Sequence, residues 1–366
     1  MDDFLKRNSR ASNIGLLTIM AALALMTFAA KMFGGDAIQI TVTEMLIRLV
    51  VVIGLYVFIG NSGIVSFGHI GFMCIGAYAS AWMTVQVPFK QMMLQGLPGF
   101  LQNYQYPFLA AMVVAAVLPA IVAFLFGIAL VRLNGIAASI ATFAFLMIVY
   151  SAYSNWDSVT AGVSSIVGVP TVVTPYVALV FACLALAVAF VFQRSRYGLM
   201  LKASRDEEIA ASAVGVKVPA MRLLSLVISA ALCGLGGGLY AHFLGILTTD
   251  VFYLNLSFIT LSMLVVGGLG SLTGAVSGVV LVTVIVTIFR QLEQGIAIGA
   301  MTVSLPQGTQ EIVLGAVIAL VLIFRPTGVF KGKELLIRLP GRLGSPGAGM
   351  HAPAANRTGQ QVNGNQ

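Results

Sequence analysis

The sequence predicts an all-α, polytopic transmembrane helical bundle of about ten membrane segments, one of them short or re-entrant. Three observations carry this. The chain is 59% hydrophobic and 9% charged with a mean hydropathy of +0.98, so it has too little polar surface to cover a soluble globule. Apolar runs near the length of about 20 residues that crosses a hydrocarbon core recur along it. The basic residues lie between or beside those runs, the positive-inside pattern. That placement, with no RNA- or DNA-binding module, sets nucleic acid aside as the reason for a formal charge of +8.

Taken in order, Lys6, Arg7 and Arg10 precede the apolar run Ile14 to Phe33. It has the outline of a signal peptide, but it lacks a convincing cleavage site and more spans follow. It reads as an uncleaved first span behind a cytoplasmic N-terminus of residues 1–13. The second span runs from Thr41 to Gly60, the third from Ile64 to Gln86 and the fourth from Pro107 to Val131. The fifth covers Gly135 to Tyr153, the sixth Tyr176 to Phe192 and the seventh Leu223 to Gly245. Leu256 to Phe289 as one helix would extend about 51 Å, too far for one crossing. It is expected to break at Gly267-Gly268-Leu269-Gly270 into two segments, the first short or re-entrant. Gly270, Gly274 and Gly278 repeat at i+4, a seam that permits close helix contact. A broken helix lining a solute path is the other reading of these glycines. The last span, Ile312 to Phe324, is short unless Glu311 and Arg325 snorkel to the interfaces.

Ten segments put both termini on one side, and the charges say which. Sixteen of the twenty basic residues fall on the assigned cytoplasmic side; Lys31, Lys90 and Arg290 fall outside and Arg48 within a span. The loop around Ser212 is then cytoplasmic, and Gly96 and Ser165 external. The transmembrane region covers residues 14–330. Residues 331–366 form a cytoplasmic tail whose end, rich in Gly, Ala, Asn and Gln, reads as disordered. Cys74, Cys183 and Cys233 stand alone in apolar segments and three scattered histidines make no zinc site, so no metal or other cofactor is expected.

Between the sixth and seventh spans lies the long polar stretch, residues 193–222, with six basic and three acidic residues. Ser204-Arg205-Asp206-Glu207 has the S-x-x-E spacing of a capping box, and Asp206, Glu207 and Glu208 crowd a first turn where negative charge suits the helix dipole. Gly215 offers a left-handed stop, and Pro219 suits the first turn of the next helix. Between them Ile209, Ala210, Ala213 and Val214 share a face at helical spacing. Such a stripe can lie in a groove on a partner, pack on its own spans or rest on the membrane surface. The run from Tyr197 to Ala241 resembles the coupling loop, and the span after it, of bacterial ABC-importer permeases. Within these it resembles the branched-chain amino-acid (LivM-type) permease family. The resemblance implies that this helix docks on an ATP-hydrolysing subunit.

The most specific motif runs from Asn61 to Tyr78, NSGIVSFGHIGFMCIGAY. Its small residues allow close backbone approach, or an unwound segment at membrane depth inside a shielding cavity. It matches the same family's G-x-x-S-x-G-H-x-x-F-x-x-I-G-A-Y signature. Ser66, Gly68, His69 and Gly71, with Gly267, Gly268 and Gly270, are therefore candidates for a translocation path or for packing. His69 and His242 are each expected to be hydrogen-bonded within the bundle. Thr160 to Pro170 is a weaker family-like patch in an external loop. Glu44 and Arg48, four apart, are expected to face one another as an intramembrane pair, structural or functional.

No G-x-x-x-x-G-K-[ST] loop and no catalytic grouping occurs, so the chain is expected to be a transport subunit and not an enzyme. The resemblance implies an inner-membrane permease that pairs with a second permease, two ABC ATPase subunits and a periplasmic binding protein. The solute would be a branched-chain amino acid, or in the same importer class urea, an amide or an aromatic acid. An ion-coupled secondary transporter would instead need carboxylates at mid-span; a scaffold without transport is a third class.

Overall fold

The computed structural model describes the backbone of residues 2–294, 296–298, 301–303, 306 and 308–324. The predicted tail, residues 331–366, and residues 325–330 lie outside the described residues. So do the side chains of Lys6, Arg7, Arg10 and Glu311.

The described chain is almost wholly helical. The first half carries α1 (Asp2–Phe33), α2 (Asp36–Leu55) continued by a π turn (Tyr56–Gly60), α3 (His69–Thr84), α4 (Val87–Met93), α5 (Gly99–Gln102), α6 (Phe108–Leu130), α7 (Gly135–Ser154) and α8 (Asp157–Thr160). Then follow β1 (Ile166–Val167), α9 (Pro175–Arg194), α10 (Arg196–Asp206), α11 (Glu208–Ala213), α12 (Val218–Leu244) and β2 (Ile246–Leu247). A 3-10 turn (Thr249–Phe252), α13 (Leu254–Gly267), α14 (Leu272–Gln294), β3 (Ile296–Ile298), β4 (Met301–Val303) and α15 (Thr309–Phe324) complete it.

Among the described residues seven helices are long and apolar enough to cross a membrane, and an eighth arises if α3 and α4, bent by 120°, count as one span. This is a multi-pass helical architecture in which seven or eight of the ten expected segments are long enough to cross. Each predicted segment is helical, but three fall short. The 16 residues of α3 and of α15 rise about 24 Å and the 14 of α13 about 21 Å, less than a hydrocarbon core. Apolar composition shows that a segment belongs in lipid or core; it does not show where the backbone unwinds. Here α3 begins only at His69 because residues 63–68 are not helical. The four two-to-three-residue strands are a further departure from an all-helical reading. They form two antiparallel pairs, β1 with β2 and β3 with β4. The first joins the predicted loop patch around Ile166 to the chain just beyond α12.

The bundle is built around α2. Of its apolar window 94% lies inside, against 17% for α1, as expected of a helix hydrophobic on all sides. α12 packs against α2, α3 and α6, and α9 packs against α2. The packing faces are small and the outward faces large. On α6, Ala111, Ala115, Ala123 and Gly127 point inward, while Leu109, Val113, Val117 and Ile121 are exposed. On α9, Ala178, Ala182, Ala185 and Ala189 are buried, while Val180, Leu184 and Val191 are exposed. With lipid outside, burying large side chains adds little, and close contact between backbones does the work. Gly234 sits against the carbonyl of Ala115, and a Cβ on Gly76 would strike Gly234. The same logic closes the last pair: Gly267 lies against Gly274 and Gly278, so α13 and α14 touch through the predicted seam.

Candidate functional site

Two breaks in the helices meet the polar stretch at one end of the bundle. The first is the end of α2. Its continuation Tyr56–Gly60 is a π turn, and residues 63–68 are unwound. The phenol of Tyr56 donates to Oε1 of Gln193 on α9 at 2.8 Å. Beyond the turn, Ser139 donates to the carbonyl of Val65 at 2.7 Å, and Phe67 N–H donates to Thr142 Oγ1 at 3.3 Å. Irregular backbone is tolerated at this depth because α7 supplies these partners. Gly68 and Gly71 let the start of α3 press on α7. A Cβ on Gly68 would meet the carbonyl of Thr142 at 2.6 Å, and one on Gly71 would meet Phe145 at 3.1 Å.

The second break follows α13, at Gly268, whose φ of 115° few other residues tolerate. Gly270 lies in the turn that follows. Both breaks and the polar stretch line a cavity of about 410 Å³, to which Ser62, Gly63, Arg205, Glu207, Arg222 and Leu269 contribute.

The polar stretch differs in detail from its prediction. Ser204 does not cap a helix. It lies near the end of α10, buried, with its hydroxyl donating back to the Leu201 carbonyl at 2.8 Å. The cap is Ser195, whose Oγ accepts from Gly198 N–H at 3.2 Å. Asp206 ends α10, and Glu207 is an extended residue between α10 and α11 that makes no side-chain cap. Glu208 reaches Arg222 at 2.9 Å. α11 is a single short helix, and the chain turns at Gly215 with φ 91°, as expected. Ala211 is buried toward the protein, while Ile209, Ala210, Ala213 and Val214 are all exposed. Ile209 and Val214 show 80% and 81% of their surface. That answers one sequence alternative: the stripe does not pack on its own spans.

His69 also departs from expectation, and Ser66 shares its surroundings. The hydroxyl of Ser66 and both ring nitrogens of His69 are buried without a hydrogen-bond partner among the described residues. The imidazole lies beside the rings of Phe58 and Phe72, with centroids at 5.5 and 6.1 Å. The expected hydrogen-bonded histidine is found at His242, which meets the Gly238 carbonyl at 2.8 Å and Thr84 Oγ1 at 2.9 Å.

With this geometry in place, comparison settles the family. Residues 37–322 match the family described as branched-chain amino acid transport system / permease component. The chain belongs to that family. The permease is also 26% identical to the high-affinity branched-chain amino acid transport system permease protein LivM of Salmonella typhimurium. It is 25% identical to the protein of the same name from Escherichia coli. Each alignment covers 86% of this chain and 74% of the relative. No solved structure matches. The permease is thus a multi-pass membrane transport component and not an enzyme.

Glu44 and Arg48 of the permease do pair, and lie apart from the cavity. Arg48 is buried and donates to Glu44, whose other oxygen is 3.6 Å from Arg290 on α14. Sequence reasoning did not single out Arg205, Arg222 or Asn134. Arg222 is buried at the start of α12 and bridges Glu208 to the side chain of Asn134, just before α7. An arginine directly beside the start of the seventh span was the available signal, since a charge at that position needs partners.

Proposed function

We propose that this permease is the membrane-spanning subunit of an ATP-driven ABC importer for branched-chain amino acids. It would act with a second permease subunit, two ATPase subunits and a periplasmic binding protein, in the inner membrane with both termini cytoplasmic. The observation that carries the reading is the exposed apolar face of α11, outside the spans and uncovered in this chain. Ile209, Ala210 and Ala213 offer an ATPase subunit a small, close-fitting contact, with Ser204 and Asp206 at the end of α10, the extended Glu207 leading into α11 and Gly215 turning the chain after it. The LivM relatives point to the solute class, and urea, amides or aromatic acids fit the same scaffold.

Within the membrane, Ser66, His69 and the break at Gly267, Gly268 and Gly270 are assigned to the solute path, with Gly68 and Gly71 packing its wall. Buried polar atoms without partners cost stability, and a polar solute passing the unwound segment would offset that cost. Glu44, on α2, faces Arg48 and Arg290 and so is poorly suited to carry a coupling ion. The test is reconstitution in proteoliposomes with the ATPase that co-purifies and the exported binding protein. Uptake of labelled leucine should need ATP and binding protein and survive collapse of ion gradients; uptake driven by a gradient alone would refute the reading.

A further inference from the structure

Resting on the importer reading, we propose that Arg205 is the positioning residue that carries movement of the coupling stretch into the break between α2 and α3. A helix terminus leaves its last carbonyls short of intrahelical donors, and the turn that continues α2 ends in such a place. Four successive carbonyls near that end, Val57 to Gly60, each have a donor. Asn61 Nδ2 donates to Val57 O at 2.9 Å, Ser62 Oγ to Phe58 O at 2.7 Å, and Gly63 N–H to Ile59 O at 2.9 Å. The last, Gly60 O, accepts from Nη1 of Arg205 at 2.6 Å. Three donors are local, and the fourth reaches across from α10, 145 residues away in sequence. A cation at a helix C-terminus also complements the dipole.

The arginine stem adds a second contact. A Cβ on Gly63 would lie 2.9 Å from Cγ of Arg205 and 3.4 Å from its Cδ. Gly63 has φ 75°, so the chain turns out of the helix directly beneath this side chain. The carbonyl of Leu269, in the second break, lies 2.9 Å from where a Cβ on Gly60 would sit. Gly60 therefore touches the second break while holding the coupling stretch. The π turn before it is a helix irregularity of the kind found at functional sites. On the other side, Arg222 ties α11 to α12 and to Asn134. The coupling stretch is thus held at two points. Arg222 connects it to the unbroken helix α12, and Arg205 connects it to the place where the backbone is already broken and can turn at low cost.

The test uses the whole complex purified with its ATPase, in a background without Cys74, Cys183 and Cys233, and with Val65→Cys as reporter in the unwound segment. Trapping with ATP and vanadate should change the labelling rate of that cysteine when Arg205 is present. With Arg205→Gln, assembly and vanadate trapping should persist, the labelling change should vanish, and uptake should fall about tenfold, the scale of one charge-assisted hydrogen bond. Arg205→Lys, which keeps a cationic donor, should restore part of both. A wild-type labelling change in Arg205→Gln would overturn the proposal. So would loss of ATPase binding in that variant, which would place Arg205 in the docking contact. If the unsubstituted chain neither binds an ATPase nor shows ATP-dependent uptake, the importer reading fails first and this proposal falls with it.

Discussion

Glu44 shows how a charge is kept inside this bundle. Its carboxylate faces Arg48 one helical turn on and Arg290 from α14, and Arg48 is buried at 7% exposure. Replacing Glu44 by Gln leaves a buried guanidinium without its counter-charge, a loss of about 3–5 kcal/mol for buried pairs. The double change Glu44→Gln with Arg48→Gln should therefore recover membrane abundance and melting temperature relative to Glu44→Gln alone. Strictly additive losses in that cycle would show that the two do not interact. Lys90 answers the same problem differently. It has no surface exposure, and its ammonium donates to the carbonyls of Met83, Leu101 and Tyr104 at 3.2, 2.9 and 2.7 Å. One side chain thus pins the end of α3 to the loop between α5 and α6. Lys90→Met keeps the stem and removes every donor; the Met83 carbonyl keeps the Tyr106 N–H, while the carbonyls of Leu101 and Tyr104 each lose a charge-assisted bond worth about 1.5–3 kcal/mol. A lower melting temperature and faster proteolysis within residues 96–106 should follow; an unchanged cleavage pattern would mean the pin is dispensable.

At the scale of elements, α11 is the piece most open to test. Ala213→Glu places a charge on its exposed apolar face and, once docked, would bury that charge unpaired. Ala210→Pro breaks the helix at about 3 kcal/mol. Both lie outside the spans, so membrane abundance should hold while ATPase co-purification and ATP-dependent uptake fail. Ser212→Glu, also exposed but off the apolar stripe, should be tolerated. Full ATPase binding by Ala213→Glu would remove the role assigned to α11. Such elements were legible to different degrees. The apolar face of α11, its stop at Gly215, the pair Glu44–Arg48 and the break at Gly268 follow from local spacing, which the sequence states directly. The cap was misplaced because S-x-x-E describes a helix start without excluding a serine near a helix end. There Ser204 bonds back to Leu201, a competing habit of serine. His69 and Arg205 were harder still. Their surroundings come from Phe58, Phe72 and Gly60, and in the last case from 145 residues away, where no periodicity reaches.

For the whole molecule, the open question is which way the bundle faces, and the structure sharpens its test. Asn13, just behind the first span, bonds to Arg194 at the start of the polar stretch, so both lie at one end. Lys90, the β1–β2 pair and the loop through Ser164 follow the outgoing ends of α3, α7 and α12, at the other. A single orientation then fixes every loop at once, and the bias of basic residues toward the Asn13 end leads us to propose that this end faces the cytoplasm. Ser164 and Ser212 are both exposed and lie at opposite ends, so each suits a reporter. In a chain lacking the native cysteines, Ser164→Cys should react with an impermeant thiol reagent in intact cells, and Ser212→Cys only after permeabilisation. The reverse pattern would turn the bundle over and put α11 where no ATP is available, removing the importer mechanism along with the topology. Labelling of both in intact cells would mean that the two sites do not lie on opposite faces, and the seven long helices would then have to be threaded differently.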